Sequence, residues 1–208
     1  MGPTYKLIYW PMSGVAEPIR YLLSYGGIEF EDFRIEKENW LHIRPHMPFG
    51  QVPVLEIDGK QTYQSVAICR YLAREVKLCG LNDWEDMEID AIVDTINDLR
   101  KKMSMYYYHT GPDFKERLKG PLFDKTIPHY LKCFEEIAKE NRGHLAAGKL
   151  TWADFYFVGV LEHMDFMFGK RLIEGYINLE KVEYNVLNLP SIKDWNRKRP
   201  VSEVLVFL

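Results

Sequence analysis

Tyr9 closes the first apolar run of the chain, Tyr5-Lys6-Leu7-Ile8-Tyr9-Trp10, and Pro11 follows directly. A phenol at the end of a strand can bond a core carbonyl, or it can aim its proton at a ligand. Val52-Pro53 opens a second apolar run. A cis bond there would turn the Val52 N–H and C=O outward, where an extended peptide could pair as an added strand. A trans proline would merely begin an edge strand. Gln64-Ser65 stands at the mouth of a helical stretch, where exposed N–H groups and the positive helix end favour a carboxylate or phosphate. Ser65 as a plain N-cap is the other reading.

Asp86, Asp90, Asp94 and Asp98 recur every four residues and form one acidic stripe on a predicted helix. The stripe reads either as a solvated face or as a surface that meets a cationic group on a ligand or a second subunit. Met103, Met105, Tyr106, Tyr107 and Tyr108 close the same helix. Met and Tyr pack cores, and together they also make an adaptable apolar binding surface. The six histidines, His42, His46, His109, His129, His144 and His163, show no metal-ligand spacing, and no metal is expected. GxSxG, P-loop, GxGxxG and HExxH patterns are all missing, so nucleotide-binding and hydrolase readings gain no support.

The elements that would position these residues fall into two halves. Residues 5–10 read as a strand that Pro11 ends, and Gly14 to Gly26 as a helix with Pro18 in its first turn. Residues 28–35 alternate imperfectly and suggest a second strand, followed by an irregular stretch. Asp58-Gly59 between two β-rich runs signals a hairpin. A helix then begins at Ser65, giving β-α-β-loop-β-β-α, the order of a small α/β sandwich. After Gly80 the periodicity turns helical over 84–108, 115–140, 151–168 and 190–199, with Thr151 and Asp154 placed as a capping box. The boundary between an α/β half, 1–79, and an all-α half, 86–208, falls between Leu78 and Asp86.

Composition narrows the classes further. The chain has 208 residues, 47% hydrophobic and 27% charged, with a net charge of −3 and no basic block, which removes the electrostatic footprint of a nucleic-acid binder. Cys69, Cys79 and Cys133 are scattered, and without a CxxC pair they make no dithiol or zinc motif. Free thiols imply a reducing compartment. The first residues carry no apolar signal core, Lys6 breaks the myristoylation pattern, and no apolar run reaches membrane-spanning length, so a cytoplasmic location is expected.

Five segments together resemble one family. They are Tyr5–Tyr9, Glu17-Pro18-Ile19-Arg20, Pro48-Phe49-Gly50-Gln51-Val52-Pro53-Val54-Leu55, Gln64-Ser65-Val66-Ala67-Ile68 and Thr151-Trp152-Ala153-Asp154-Phe155-Tyr156. They are similar to the sigma-class glutathione transferases, a class that includes insect and helminth enzymes and the haematopoietic prostaglandin D synthases. The likeness spans both halves. It implies a thioredoxin-like N-terminal domain (βαβαββα), an all-α C-terminal domain, a homodimer, and glutathione as co-substrate.

Residue by residue, the resemblance gives Tyr9 the donor role toward the glutathione sulfur. Trp40 and Arg44 match residues that hold the glycyl carboxylate, and Arg44 stands where relatives often carry Lys. Gln51 matches a side-chain contact, the Val52 backbone pairs with the cysteinyl part, and Pro53 matches a cis-proline. Gln64 and Ser65 match the grip on the γ-glutamyl carboxylate, and Asp98 an acid that reaches the partner subunit's γ-glutamyl amine. The hydrophobic second substrate falls to Met12, Gly14, Val15, Met105, Tyr156, Val160 and Leu208. The implied reaction is attack of the thiolate on a hydrophobic electrophile, lipid peroxidation products among them, with peroxidase or prostaglandin isomerase as side activities. Two departures matter. Val15 stands where the vertebrate prostaglandin D synthases carry an arginine, which removes a cation beside the sulfur. Asn97 replaces one acid of a cluster that can hold a divalent cation at their dimer interface.

Three other readings compete. A non-catalytic descendant resembling the lens S-crystallins would carry an insertion in the helical half and an altered site, and neither is evident. A ligandin-like carrier of apolar compounds is compatible with catalysis. A thiol-disulfide oxidoreductase would need a cysteine near Tyr9, where Trp10, Pro11 and Met12 stand instead.

Overall fold

A computed structural model describes residues 2–202. Strand β1 (Tyr5–Tyr9) is central because its side chains are apolar on both faces, and Leu7, Ile8 and Tyr9 are all buried. It pairs in parallel with β2 (Glu31–Arg34) on one side and antiparallel with β3 (Val54–Ile57) on the other. Strand β4 (Lys60–Tyr63) completes the order β2-β1-β3-β4. The β3–β4 turn forms at Asp58-Gly59, both with positive φ, as a two-residue hairpin requires.

Helix α1 (Glu17–Tyr25), with Pro18 in its first turn, turns Ile19, Leu22 and Leu23 into the core. The stretch between β2 and β3 is a chain of short turns with one helical turn, α2 (Trp40–Ile43). It covers the other sheet face, where Ile35 and Met47 meet Ile8 of β1 and Val54 of β3, with Trp40 and Ile43 packed against them. Helix α3 (Ser65–Glu75) starts one residue earlier than an N-cap at Ser65 requires. The cap position belongs to Gln64, and no side chain bonds the open N–H groups.

The helical half begins with α4 (Asp83–Tyr108), whose cap Asn82 accepts from the Trp84 and Glu85 N–H groups. Helices α5 (Pro112–Gly120) and α6 (Ile127–Glu140) run into one another through a wider π turn at Pro121–Thr126, where one continuous helix was read in the sequence. Helix α7 (Trp152–Phe168) is buried along nearly its whole length, and Asp154 anchors its start by accepting from the Thr151 and Leu145 N–H groups. Helix α8 (Ile177–Leu187) escaped the sequence reading. Its N-cap residue Tyr176 offers no side-chain bond, since the Asn178 and Leu179 N–H groups donate to Glu135 of α6 instead, and its β-branched and asparagine residues are poor helix formers, so the stripe of Leu179, Val182 and Val186 is its main local signal. Helix α9 (Pro190–Lys198) ends the described helices.

The halves share one apolar core, because α1 packs directly on α7. The approach is close enough that a Cβ on Gly159 would stand 2.6 Å from the Pro18 nitrogen. Glu17 adds a polar tie. Its carboxylate accepts from Arg20 on its own helix and from Trp195 and Arg199 at the end of the chain, at 3.0, 2.7 and 3.0 Å.

The acidic stripe divides. Asp86 accepts from the Gly80 N–H at 2.7 Å and Asp90 pairs with Arg70 at 2.8 Å. Asp94 and Asp98 stay exposed, with no cation at ion-pair distance among the described residues. No described helix is long and apolar enough to cross a membrane.

Candidate active site

The end of β1 delivers the Tyr9 ring into the space between the two halves, where it is 7% exposed. The turn after the strand folds beneath it. Gly14 has φ +47°, and a Cβ there would stand 2.6 Å from the Tyr9 hydroxyl oxygen, so only glycine fits both demands. The Arg20 guanidinium lies 6.0 Å from the centre of the ring. Arg20 is fully buried and held by Glu17 (3.0 Å), Asp32 (2.9 Å) and the Met12 carbonyl (2.8 Å).

Burial pushes the Tyr9 pKa above the ordinary tyrosine value, while the Val15 backbone N–H, Arg100 and Arg20 pull it back. The phenol therefore keeps its proton at neutral pH. It can donate a hydrogen bond, but it is a poor base.

Tyr9 and Val15 form the floor of a cavity of about 220 Å³. One wall is the turn before β3, with Pro48, Gln51, Val52 and Pro53, and the Val52–Pro53 bond is cis. Val52 precedes the β3 ladder, whose pairing begins at Val54. The facing wall is the start of α3, with Gln64, Ser65 and Val66, next to Tyr63 from β4. Gln64 is held at φ 72°, a strained conformation for a side-chain-bearing residue, and the uncapped helix start opens on this cavity. A carboxylate fits there for reasons of both hydrogen bonding and helix polarity.

The roof holds residues that sequence reasoning missed. Asn97, Arg100 and Lys101 come from α4, and His163 from α7. His163 Nε2 lies 2.8 Å from the Tyr108 hydroxyl. Burial pushes His163 down to about 4 and Tyr108 up to about 12, so both are neutral near pH 7. A signal for Arg100 did exist. It occupies the inner edge of α4, between the buried Ile96, Leu99 and Met103, where an apolar residue is expected.

The other candidates lie around this cavity. Trp40 is half-buried, and its ring centre is 4.9 Å from that of Trp10. Arg44 is exposed, and its Nε would meet a Cβ on Gly50 at 3.1 Å, so its stem lies over the turn leading to Gln51. Asp98 is on the exposed face of α4 and does not line the cavity. Of the seven positions assigned to a second substrate, Val15 lines the cavity and Gly14 lies under the Tyr9 hydroxyl. Met12, Tyr156 and Val160 are buried in the core. Met105 is half exposed at 52%, and Leu208 lies outside the described residues. A larger cavity of about 600 Å³ between α4 and α6, lined by Tyr130, Cys133 and Phe134 among others, contains none of these groups.

Two family models match the chain. Residues 3–74 match the glutathione S-transferase N-terminal domain, and residues 97–199 the glutathione S-transferase C-terminal domain. Among curated relatives, a glutathione S-transferase of Anopheles gambiae is 46% identical over 97% of this chain and 100% of its own length. Glutathione S-transferase S1 of Drosophila melanogaster is 46% identical over 97% of this chain and 81% of its own. Among solved structures, the prostaglandin synthase D of Nilaparvata lugens superposes with a TM-score of 0.91 at 45% identity, covering 95% of this chain and 99% of that one.

Proposed function

The chain belongs to the glutathione S-transferase family, an enzyme family with glutathione as co-substrate, and on that premise we propose that it joins the glutathione thiolate to hydrophobic electrophiles at the cavity above Tyr9. One observation carries the reading. The buried, protonated Tyr9 hydroxyl and the uncapped start of α3 face the same small cavity.

The chemistry follows from the acidity of thiols. A free thiol has a pKa of about 8.5, so only a few per cent is thiolate at neutral pH. A hydroxyl that donates to the charged form stabilises it and lowers that pKa. Tyr9 suits this task because burial keeps its own proton in place. The Gln64–Ser65 end of α3 takes the γ-glutamyl carboxylate, and the Val52 backbone ahead of the ladder takes the extended cysteinyl part. Gln51 makes a side-chain contact, while Trp40 and Arg44 complete the glycyl end from the α2 turn. The exposed Asp98 serves the site of a second copy in a homodimer, as the partner subunit's Asp98 serves this one. The electrophile lies beside the sulfur, against Val15 and the helical half. The other positions assigned to it are Met12, Gly14, Met105, Tyr156, Val160 and Leu208. Aldehydes from lipid peroxidation are one class to try, with peroxides and prostaglandin precursors as side substrates. The cytoplasm suits the free Cys69, Cys79 and Cys133.

Conjugation of glutathione to 1-chloro-2,4-dinitrobenzene tests this reading. The wild-type chain turns over, and Tyr9→Phe loses about a hundredfold in kcat while its glutathione affinity changes little. A wild type that binds the dinitro compound without consuming it is a carrier, and overturns the proposal.

A further inference from the structure

Val15 lines the cavity beside Tyr9 and supplies no charge there. The structure brings a cation in from a different element, α4. We propose that Arg100 is the charge that holds bound glutathione as its thiolate, acting beside the Tyr9 hydroxyl. The inference rests on reading the cavity as a glutathione site.

The geometry carries it. Arg100 and Val15 line the same cavity as Tyr9, although one comes from α4 and the other from the turn after β1. The guanidinium is fixed along its helix: Nε donates to Asn97 Oδ1 at 3.0 Å, and Nη1 lies 3.5 Å from Ser104 Oγ. Ser104 is in turn 3.4 Å from Met167 Sδ on α7. These partners are neutral, and among the described residues no carboxylate lies within ion-pair distance of Arg100. An arginine poised this way keeps its full charge for a ligand.

The other charged and titratable groups around Tyr9 do not compete. From α1, Arg20 is neutralised by Glu17 and Asp32 at 3.0 and 2.9 Å. From α4, Lys101 reaches the cavity but is exposed, where water weakens its field. Tyr108 stays neutral, as does Tyr156 on α7, and burial strips His163 of its proton near pH 7.

The step is an ionisation. The S–H bond of bound glutathione breaks heterolytically, and the proton leaves to water. The electron pair stays on sulfur, facing the Arg100 charge and the Tyr9 O–H, which keeps its own proton. An arginine cannot act as the base, because it does not lose a proton in proteins. It acts by charge alone, and a neutral replacement removes that effect.

The test is a titration of the ultraviolet thiolate band of bound glutathione in wild type, Arg100→Met and Arg100→Lys. Arg100→Met raises the pKa of the bound thiol by about one unit, within the usual effect of an opposite charge nearby, and Arg100→Lys restores most of the shift. Linkage sets a second readout. Below the pKa, wild type and Arg100→Met bind glutathione alike; well above it, the variant binds about tenfold more weakly. S-methylglutathione, which has no thiol to ionise, binds both equally. Should methionine prevent folding, Arg100→Gln repeats the experiment with a side chain that can still bond Asn97 and Ser104. An unchanged thiol pKa overturns the inference alone. So does a loss of S-methylglutathione binding equal to the loss of glutathione, since Arg100 would then be gripping the tripeptide body. A wild type that binds no glutathione overturns the reading of the site as well.

Discussion

Gly14 and the Tyr9 hydroxyl are packed so closely that a single methyl group cannot be placed between them: a Cβ on Gly14 would sit 2.6 Å from the phenol oxygen. The glycine also has φ +47°, so its two reasons for being glycine coincide at the reactive group. Gly14→Ala is expected to displace the phenol and lower kcat at least tenfold, with a stability loss of about 1–3 kcal/mol from the backbone conformation. Paired kinetic and denaturant-unfolding measurements check it. Unchanged turnover would mean that the hydroxyl position is unimportant.

Much of the scaffold was legible in the sequence. The Asp58-Gly59 hairpin and the Thr151–Asp154 start of α7 both announce themselves through local chemistry, because turns and caps are decided within a few residues. Tyr9, Val52, Gln64 and Ser65 were found as neighbours because family resemblance encodes tertiary placement. What was not legible depends on long-range packing. His163 is one polar residue in a buried helix, and nothing local says that its ring meets Tyr108 across 55 positions. The even spacing of Asp86 to Asp98 hid a division of labour, since Gly80 and Arg70 take two of the four acids. The strained Gln64 was hidden too, because side-chain identity rarely reveals a positive φ outside glycine and asparagine.

Glu17 is 1% exposed and accepts from Arg20, Trp195 and Arg199. Glu17→Gln takes one of two carboxylates from the buried Arg20, which keeps Asp32, and from the half-buried Arg199, which keeps Glu162, and a loss of about 3 kcal/mol is expected. Arg197→Gln, which breaks the exposed pairing with Asp194, changes stability by less than about 1 kcal/mol. Chemical denaturation of both variants makes the comparison. Equal effects would remove Glu17 from its place as the tie between α1 and the chain end.

The domain contact is tested by Gly159→Ala, whose new methyl would meet the Pro18 backbone at 2.6 Å. Backbone atoms cannot rotate away, so α1 and α7 must separate. A destabilisation of about 1–3 kcal/mol is expected, read as a lower Tm. No shift in Tm would show that the two helices have slack at this crossing.

His163 gives the fold a pH dependence of known sign. Its pKa is about 4 in the folded chain against an ordinary value of 6.5, so between these values the unfolded chain holds the extra proton. Stability therefore falls as pH drops from 6.5 toward 4, by up to about 3 kcal/mol from this group. His163→Gln should flatten that part of the stability profile. An unaltered slope in the variant would assign the acid sensitivity to other groups.

The account depends most on the distance between the Tyr9 hydroxyl oxygen and the sulfur of bound glutathione. A crystal structure of the complex measures it directly. The expected separation is within about 3.5 Å, with the sulfur in the cavity below Arg100. A sulfur more than about 5 Å from that oxygen, with the tripeptide otherwise in place, would contradict the mechanism.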